Sequence, residues 1–178
     1  QKTTQPHMIS GYLQGRFLSL ISKMVSPKNI LEIGTFTGYA ALCLAEGLQK
    51  DGKLTTLDVN EDLAYILKKY FAESEFASQI EFRLENALDF LKNSSETFDL
   101  IFIDADKENY PEYLQLVKPR MKSGSVLMID NVLWYGKVLD EKGNKQTEQI
   151  KLVNKIVAED ADFENVILPL RDGIHLVR

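Results

Sequence analysis

The chain is poor in the residues that build metal cages and covalent crosslinks, with one cysteine and two histidines among 178 residues. Cys43, in "AALCLAEGL", excludes an internal disulfide and reads as a small buried hydrophobe, which suits a cytoplasmic protein. His7 and His175 stand far apart, so a zinc site built on several histidines is excluded and each reads as structural. Any metal must therefore take oxygen ligands. No apolar stretch reaches the roughly 18 residues of a membrane span. No secretory signal is present, and the opening "QKTTQPHM" lacks an initiator Met, so the natural protein is expected to begin earlier. Positive charge is also scarce. The net charge is -5 and the pI about 5.1, and Lys68 with Lys69 or Arg120 with Lys122 form no long stripe. That argues against nucleic-acid and membrane partners and for a small molecule. Repeats and low-complexity tracts are absent.

What is present is a hydrophobic share of 44% in a length suited to one globular domain, residues 1–178. Ile9, Leu13, Phe17, Leu20, Ile21 and Met24 recur at helical spacing and predict an amphipathic first helix ending before Pro27. Strands and helices then alternate. "NILEI", "KLTTLD", "IEFRL", "FDLIFI" and "SVLMID" read as strands, with helices over 37–48, 61–73, 87–92, 111–121 and 147–160. Such alternation implies a parallel sheet with helices on both faces, an α/β class. "FENVILPL" and "GIHLVR" are joined too tightly for a crossover, so they predict a terminal antiparallel hairpin. The polar connection "GKVLDEKGNKQTEQ" reads equally as a substrate lid or an idle surface loop.

Chemistry concentrates at strand ends. "EIGTFTG", Glu32 to Gly38, is a strand-to-helix turn whose glycines let a ligand approach the backbone and whose helix start offers free N–H groups. Its G-x-x-x-G spacing differs from the dinucleotide G-x-G-x-x-G. Asp58 ends the next strand, where a carboxylate can accept ribose hydroxyls, so turn and acid together suggest a nucleoside. Glu32 adds negative charge, poor for a diphosphate and tolerable for a cation such as the sulfonium of S-adenosylmethionine. "FDLIFIDADKENY" runs a buried strand into Asp104, Asp106 and Lys107, and "MIDNVLW" ends another at Asp130 and Asn131. Neighbouring strands lie about 4.8 Å apart. If these two are neighbours, Asp104, Asp130 and Asn131 offer an oxygen set for a hard cation such as Mg²⁺. Two unrelated helix caps are the alternative for the aspartates, and a surface pair with Glu108 or Asp106 the alternative for Lys107. Trp134 reads as a face for a flat acceptor ring or as a loop anchor. Tyr110 and Tyr113 share a helical face, Tyr113 assigned to the cofactor and Tyr110 to packing.

"HMISGYLQGRFL", "LEIGTFTGYA", "LDVN", "FIDADKENYPEY", "DNVLWYGKV" and "LPLRDGIHLVR" occur in this order. Together they resemble the cation-dependent O-methyltransferases of the caffeoyl-CoA O-methyltransferase type, related to catechol O-methyltransferase. The resemblance spans nearly the whole chain. It implies a class I S-adenosylmethionine-dependent methyltransferase fold, Rossmann-like, with a seven-stranded, mostly parallel sheet. It implies Asp104, Asp130 and Asn131 as ligands of Mg²⁺, or of Mn²⁺ or Ca²⁺, and Lys107 as the base, with Asp104 also catalytic. Met8, Ser10, Glu32, Gly34, Ala40, Asp58, Ala87, Asp104, Asp106 and Tyr113 stand at its cofactor-contacting positions. Lys107 and Trp134 are expected to meet the acceptor, a small aromatic diol. Ala40 replaces a frequent Ser. A homodimer is the expected assembly, and a further helix usually precedes the segment that opens this chain. The rival readings are a nicotinamide-dependent oxidoreductase and a noncatalytic nucleoside-binding module.

Overall fold

The computed structural model describes residues 10–178. His7 and Met8 lie outside the described residues. Helix α1 (Gly11–Val25) leads into β1 (Asn29–Ile33), α2 (Tyr39–Ala45), β2 (Lys53–Asp58), α3 (Glu61–Glu73), β3 (Ile80–Leu84) and α4 (Ala87–Asn93). The second half runs through β4 (Phe98–Ile103), α5 (Tyr110–Val117), β5 (Met121–Asp130), α6 (Lys145–Glu159), β6 (Asn165–Leu168) and β7 (Ile174–Val177). The seven strands lie in the order β3-β2-β1-β4-β5-β7-β6. Pairing is parallel from β3 to β5 and antiparallel for β5 with β7 and β7 with β6, as the short link between the last two strands requires.

The apolar run "LIFI" is explained by burial on both faces. Ile101 and Ile103 join Leu31, Ile33 and Leu127 in the layer that meets α4, α5 and α6, whereas Leu100 and Phe102 join Ile30, Leu54 and Met128 beneath α1, α2 and α3. From β1 the chain steps outward through β2 and β3, then crosses to β4 on the other side of β1. That reversal opens a crevice above the carboxyl ends of β1 and β4, where ligands bind in open α/β sheets.

Several boundaries differ from expectation for identifiable reasons. The helix expected over 37–48 begins at Tyr39, because Phe36 (φ 45°) and Gly38 (φ 78°) shape the preceding turn. The one expected over 111–121 ends at Val117, since Pro119 lacks an N–H and diverts the chain into a 3-10 turn, Lys118–Arg120. The polar connection after Tyr135 is partly helical. It comprises the end of a 3-10 segment, Trp134–Leu139, a short turn, and the first residues of α6, whose Thr147 N–H is capped by Asn144 Oδ1 at 2.9 Å.

The largest correction concerns α1. Its apolar stripe faces inward only in part: Phe17 and Ile21 pack against the core, whereas Leu13 is 66% exposed, Leu20 56% and Met24 74%. The buried face is Gln14, Gly15, Leu18, Ser19 and Ser22. Three of these are satisfied by distant partners: Ser22 Oγ donates to Leu44 O at 2.5 Å, Ser19 Oγ to Glu46 Oε2 at 2.8 Å, and Gln14 Nε2 to Asp130 Oδ2 at 2.7 Å. Glu46 also pairs with Arg16 and Lys23, which hold its carboxyl near 2. A helix face of hydroxyls and an amide is stable in the interior only because each group is hydrogen-bonded there.

His175 and Cys43 are buried, in keeping with structural roles. His175 Nε2 donates to Asn165 Oδ1 at 3.0 Å, while Nδ1 is buried without a partner, and burial lowers its pKa to about 4. The unfolded chain therefore binds this proton from about pH 6.5 downward and the folded one only near pH 4, so stability is lost as pH falls between the two. Denaturant titrations should show that His175→Gln removes about 3 kcal/mol of the stability loss between pH 7 and pH 4. An identical pH profile in the variant would refute the assignment. Among the described residues no helix is long and apolar enough to cross a membrane.

Candidate active site

At the end of β1 the backbone turns at Gly34, with φ +99°. Gly34 N–H donates to Leu57 O at 2.9 Å, and Asp104 N–H donates to Ile33 O at 2.9 Å, drawing the ends of β1, β2 and β4 together. A Cβ on Gly34 would collide with the Asp104 carbonyl oxygen, so only glycine permits this approach. Asp58 accepts the Phe36 N–H on Oδ2 (2.8 Å) and the Asn60 N–H on Oδ1 (2.9 Å). The carboxylate expected to meet a ribose thus also fixes the turn beside it.

Glu32 lies fully buried. Its Oε2 accepts the Thr56 hydroxyl, which contacts Thr35 Oγ1 at 2.6 Å, while Oε1 has no partner. Burial pushes its pKa up to about 8; the Thr56 hydrogen bond opposes this and the charges of Asp104 and Asp58 add to it. Desolvation thus works against the negative charge expected here. A nearby cation acts in the opposite direction.

Ser10, Gly34, Ala40 and Asp104 line one small cleft together with Thr35 and Phe36. Asp106 accepts the Tyr113 hydroxyl on Oδ1 (2.6 Å) and the Asn109 amide on Oδ2 (2.5 Å), so Asp106 and Tyr113 form a unit next in sequence to the rim. Burial and Asp106 both raise the Tyr113 pKa. Ala87 is buried at the start of α4, where Asn86 Oδ1 caps the Leu88 N–H at 2.9 Å.

The second half of the rim follows from register. Ile103 of β4 pairs with Ile129 of β5, which sets Asp104 and Asp130 at adjoining strand ends. Asp130 is buried, and its oxygens accept Gln14 Nε2 at 2.7 Å and the Asn131 N–H at 2.8 Å. Burial and then Asp104 raise its pKa, against the hydrogen bond from Gln14. Asn131 has φ 60°, the left-handed region that asparagine tolerates. Lys107 does not pair at the surface with Glu108 or Asp106. It is 8% exposed, donates to Asp104 Oδ1 at 2.9 Å and Tyr110 Oη at 2.6 Å, and lies over the Tyr110 ring. Tyr110 Oη in turn donates to Asp130 O at 3.1 Å.

Sequence reasoning assigned Tyr110 to packing alone and passed over Gln14. Tyr110 does pack in the core, but its hydroxyl closes the polar network; its position three residues after Lys107 was the available signal. Gln14 gave none, being one polar residue in a helix. Trp134 (φ 48°) is half-buried beside Tyr135 at 5.8 Å between ring centroids, and its Nε1 is buried without a partner. Its segment is tied to the turn before β7, since Leu133 N–H donates to Asp172 O at 2.9 Å and Tyr135 N–H to Asp172 Oδ1 at 2.6 Å.

The sequence matches the family model described as O-methyltransferase over residues 1–178. The chain belongs to the O-methyltransferase family. It is 34% identical over 178 residues to caffeoyl-CoA O-methyltransferase 5 of Nicotiana tabacum, covering 93% of this chain and 74% of that protein. It is 39% identical over 140 residues to a catechol O-methyltransferase of Niastella koreensis, covering 76% of this chain and 63% of the relative. The crystal structure of the O-methyltransferase from Bacillus cereus in complex with SAH (S-adenosylhomocysteine) is similar with a TM-score of 0.90 at 32% identity, covering 97% of this chain and 83% of that one. Membership sets aside the nicotinamide oxidoreductase and the noncatalytic module. Among the described residues, no three His, Cys, Asp or Glu side chains form a metal cage, so an ion at the rim of this O-methyltransferase would need the Asn131 amide oxygen as its third donor. The donor set suits a hard cation: it is all oxygen, and burial, followed by the like charge of Asp104, disfavours the Asp130 carboxylate in a way that a dication would offset.

Proposed function

We propose that this protein transfers the methyl group of S-adenosylmethionine to one hydroxyl of a vicinal aromatic diol, with Mg²⁺, or Mn²⁺ or Ca²⁺, held by Asp104, Asp130 and Asn131. The observation that carries this reading is the meeting of Asp104, Lys107 and Asp130 at adjoining strand ends beside the Gly34 turn. The catechol and caffeoyl-CoA relatives support the acceptor class, and the SAH complex supports the cofactor. Ser10, Gly34, Ala40 and Ala87 supply the cofactor's walls, and Asp58 accepts its ribose hydroxyls. Glu32 and Asp104 contribute the negative field around the sulfonium, while Asp106 and Tyr113 border the adenosine end. Trp134 offers its face to the acceptor ring.

A bound dication supplies positive charge that lowers the pKa of a phenol oxygen. Lys107 takes the released proton. Its Nζ stands 2.9 Å from Asp104 Oδ1 and 2.6 Å from Tyr110 Oη, at the rim where that proton is released. The methyl carbon then passes from sulfur to oxygen: the C–S bond breaks, the C–O bond forms, and the sulfonium becomes a neutral thioether. The walls hold the phenolate and sulfonium in line.

The test compares caffeic acid with p-coumaric acid under saturating cofactor and Mg²⁺, quantifying methyl ether. Adjacent hydroxyls present two oxygens to the carboxylate rim and a lone phenol only one. The diol should be preferred by at least about a hundredfold in kcat/KM, roughly 3 kcal/mol of transition-state stabilisation. Comparable rates for the two would sink the chelating mechanism.

A further inference from the structure

The polar face of α1 is oriented with a purpose that its role as a cover does not explain. Ser19, Ser22, Arg16 and Lys23 anchor the helix to α2 and need nothing from the catalytic rim. Gln14 is different. It is 1% exposed and sends its amide across to Asp130 Oδ2 at 2.7 Å, a contact between residues far apart in sequence. Asp130 Oδ1 is held by the Asn131 N–H at 2.8 Å, and the Asp130 carbonyl by Tyr110. With one donor on each carboxylate oxygen, the plane of the Asp130 carboxylate is set, and each oxygen retains a lone pair. Of these three restraints, only Gln14 comes from outside β5 and the α5 start. Among the described residues it is also the only side chain with a hydrogen bond to Asp130 Oδ2.

We propose that Gln14 is a positioning residue for Asp130, donating from α1 to Oδ2 so that the carboxylate is fixed for a divalent cation before the cation arrives. The proposal rests on the metal reading given above. It deepens that reading by making α1 part of the cation site rather than only a helix packed on the sheet. Hydrogen-bond partners of ligating carboxylates orient them, and their loss generally weakens metal binding ten- to a hundredfold. The link is reciprocal, because a cation that holds Asp130 still also strengthens the hold of Asp130 on α1.

The experiment measures Mn²⁺ affinity directly, by paramagnetic resonance of the free ion, with neither cofactor nor acceptor present. Gln14→Met keeps the length of the side chain and removes the donor; Glu46→Gln loosens α1 from α2 without touching Asp130. Gln14→Met should weaken Mn²⁺ by at least about tenfold while Glu46→Gln leaves it within about twofold. Equal affinity in Gln14→Met and the unaltered chain overturns the positioning role, as does an equal weakening by Glu46→Gln, which would mean that α1 docking alone matters. Failure of the unaltered chain to bind Mn²⁺ overturns the metal reading itself and this inference with it. Should Gln14→Met not fold, amide exchange in the unaltered chain decides. Mn²⁺ should slow exchange in α1 around Gln14, and unchanged exchange there overturns the proposal.

Discussion

Methyl transfer to caffeic acid in excess EDTA is expected to fall at least about a thousandfold and to return when Mg²⁺ is restored. A phenol with a pKa near 10 is ionised in only about one molecule in a thousand at pH 7, a handicap of roughly 4 kcal/mol. Among the described residues, the cationic side chain the network places at this rim is Lys107. Lys107 is engaged by Asp104 and Tyr110, and the other groups there are carboxylates and an amide. Asp130→Ala should reproduce the loss without unfolding the protein, because Asp130 ends β5 and its removal relieves a buried carboxylate that Asp104 already disfavours. The assay is labelled product formed at saturating cofactor, with circular dichroism to check the fold. Full activity in EDTA would eliminate the cation from the mechanism, whatever the acceptor.

Gly34→Ala should be the most damaging single-methyl change in the protein. The new Cβ would overlap the Asp104 carbonyl oxygen, and the backbone at φ +99° lies where L side chains are strained. Relief requires β1 and β4 to part at the point where Asp104 N–H bonds to Ile33 O. Overpacking and left-handed strain each cost about 1 to 3 kcal/mol, so a total of about 3 kcal/mol or more is expected. For a domain of this size that corresponds to a fall in Tm of roughly 10 °C. The same displacement moves Asp104, so calorimetry should detect no S-adenosylhomocysteine binding at concentrations that saturate the unaltered chain. A variant with unchanged Tm and affinity would show that the β1 and β4 ends are not in contact.

Both expectations draw on features of unequal visibility in the sequence. The strands "NILEI", "KLTTLD", "IEFRL" and "FDLIFI" were legible residue for residue: "FDLIFI" by its apolar run, which burial on both faces demands, and the others as short β-prone segments set between helical ones. Asp104 and Asp130 were legible as strand-end carboxylates for the same reason: charge placed abruptly after such a run marks the rim. The α1 face was not legible. Periodicity located a stripe of Ile9, Leu13, Phe17, Leu20, Ile21 and Met24, of which Phe17 and Ile21 pack on the core while Leu13, Leu20 and Met24 are exposed. Beside Leu18, the most buried side carries Gln14, Ser19 and Ser22, whose partners include Leu44 of α2 and Asp130 of β5.

The sequence by itself determined the order of elements, the antiparallel end of the sheet, the glycine turn and the acidic strand ends. Each follows from local rules: side-chain periodicity, the reach of a short link, and the backbone freedom of glycine. Tertiary structure alone decided that β4 and β5 are neighbours in the register that joins Asp104 to Asp130. It also decided that Lys107 is buried between Asp104 and Tyr110, that burial raises the Glu32 pKa, and that Gln14 reaches Asp130. These depend on desolvation and on hydrogen bonds between residues distant in the chain. Desolvation and hydrogen bonding are set by what surrounds a group in space, and no local pattern of residues encodes those surroundings.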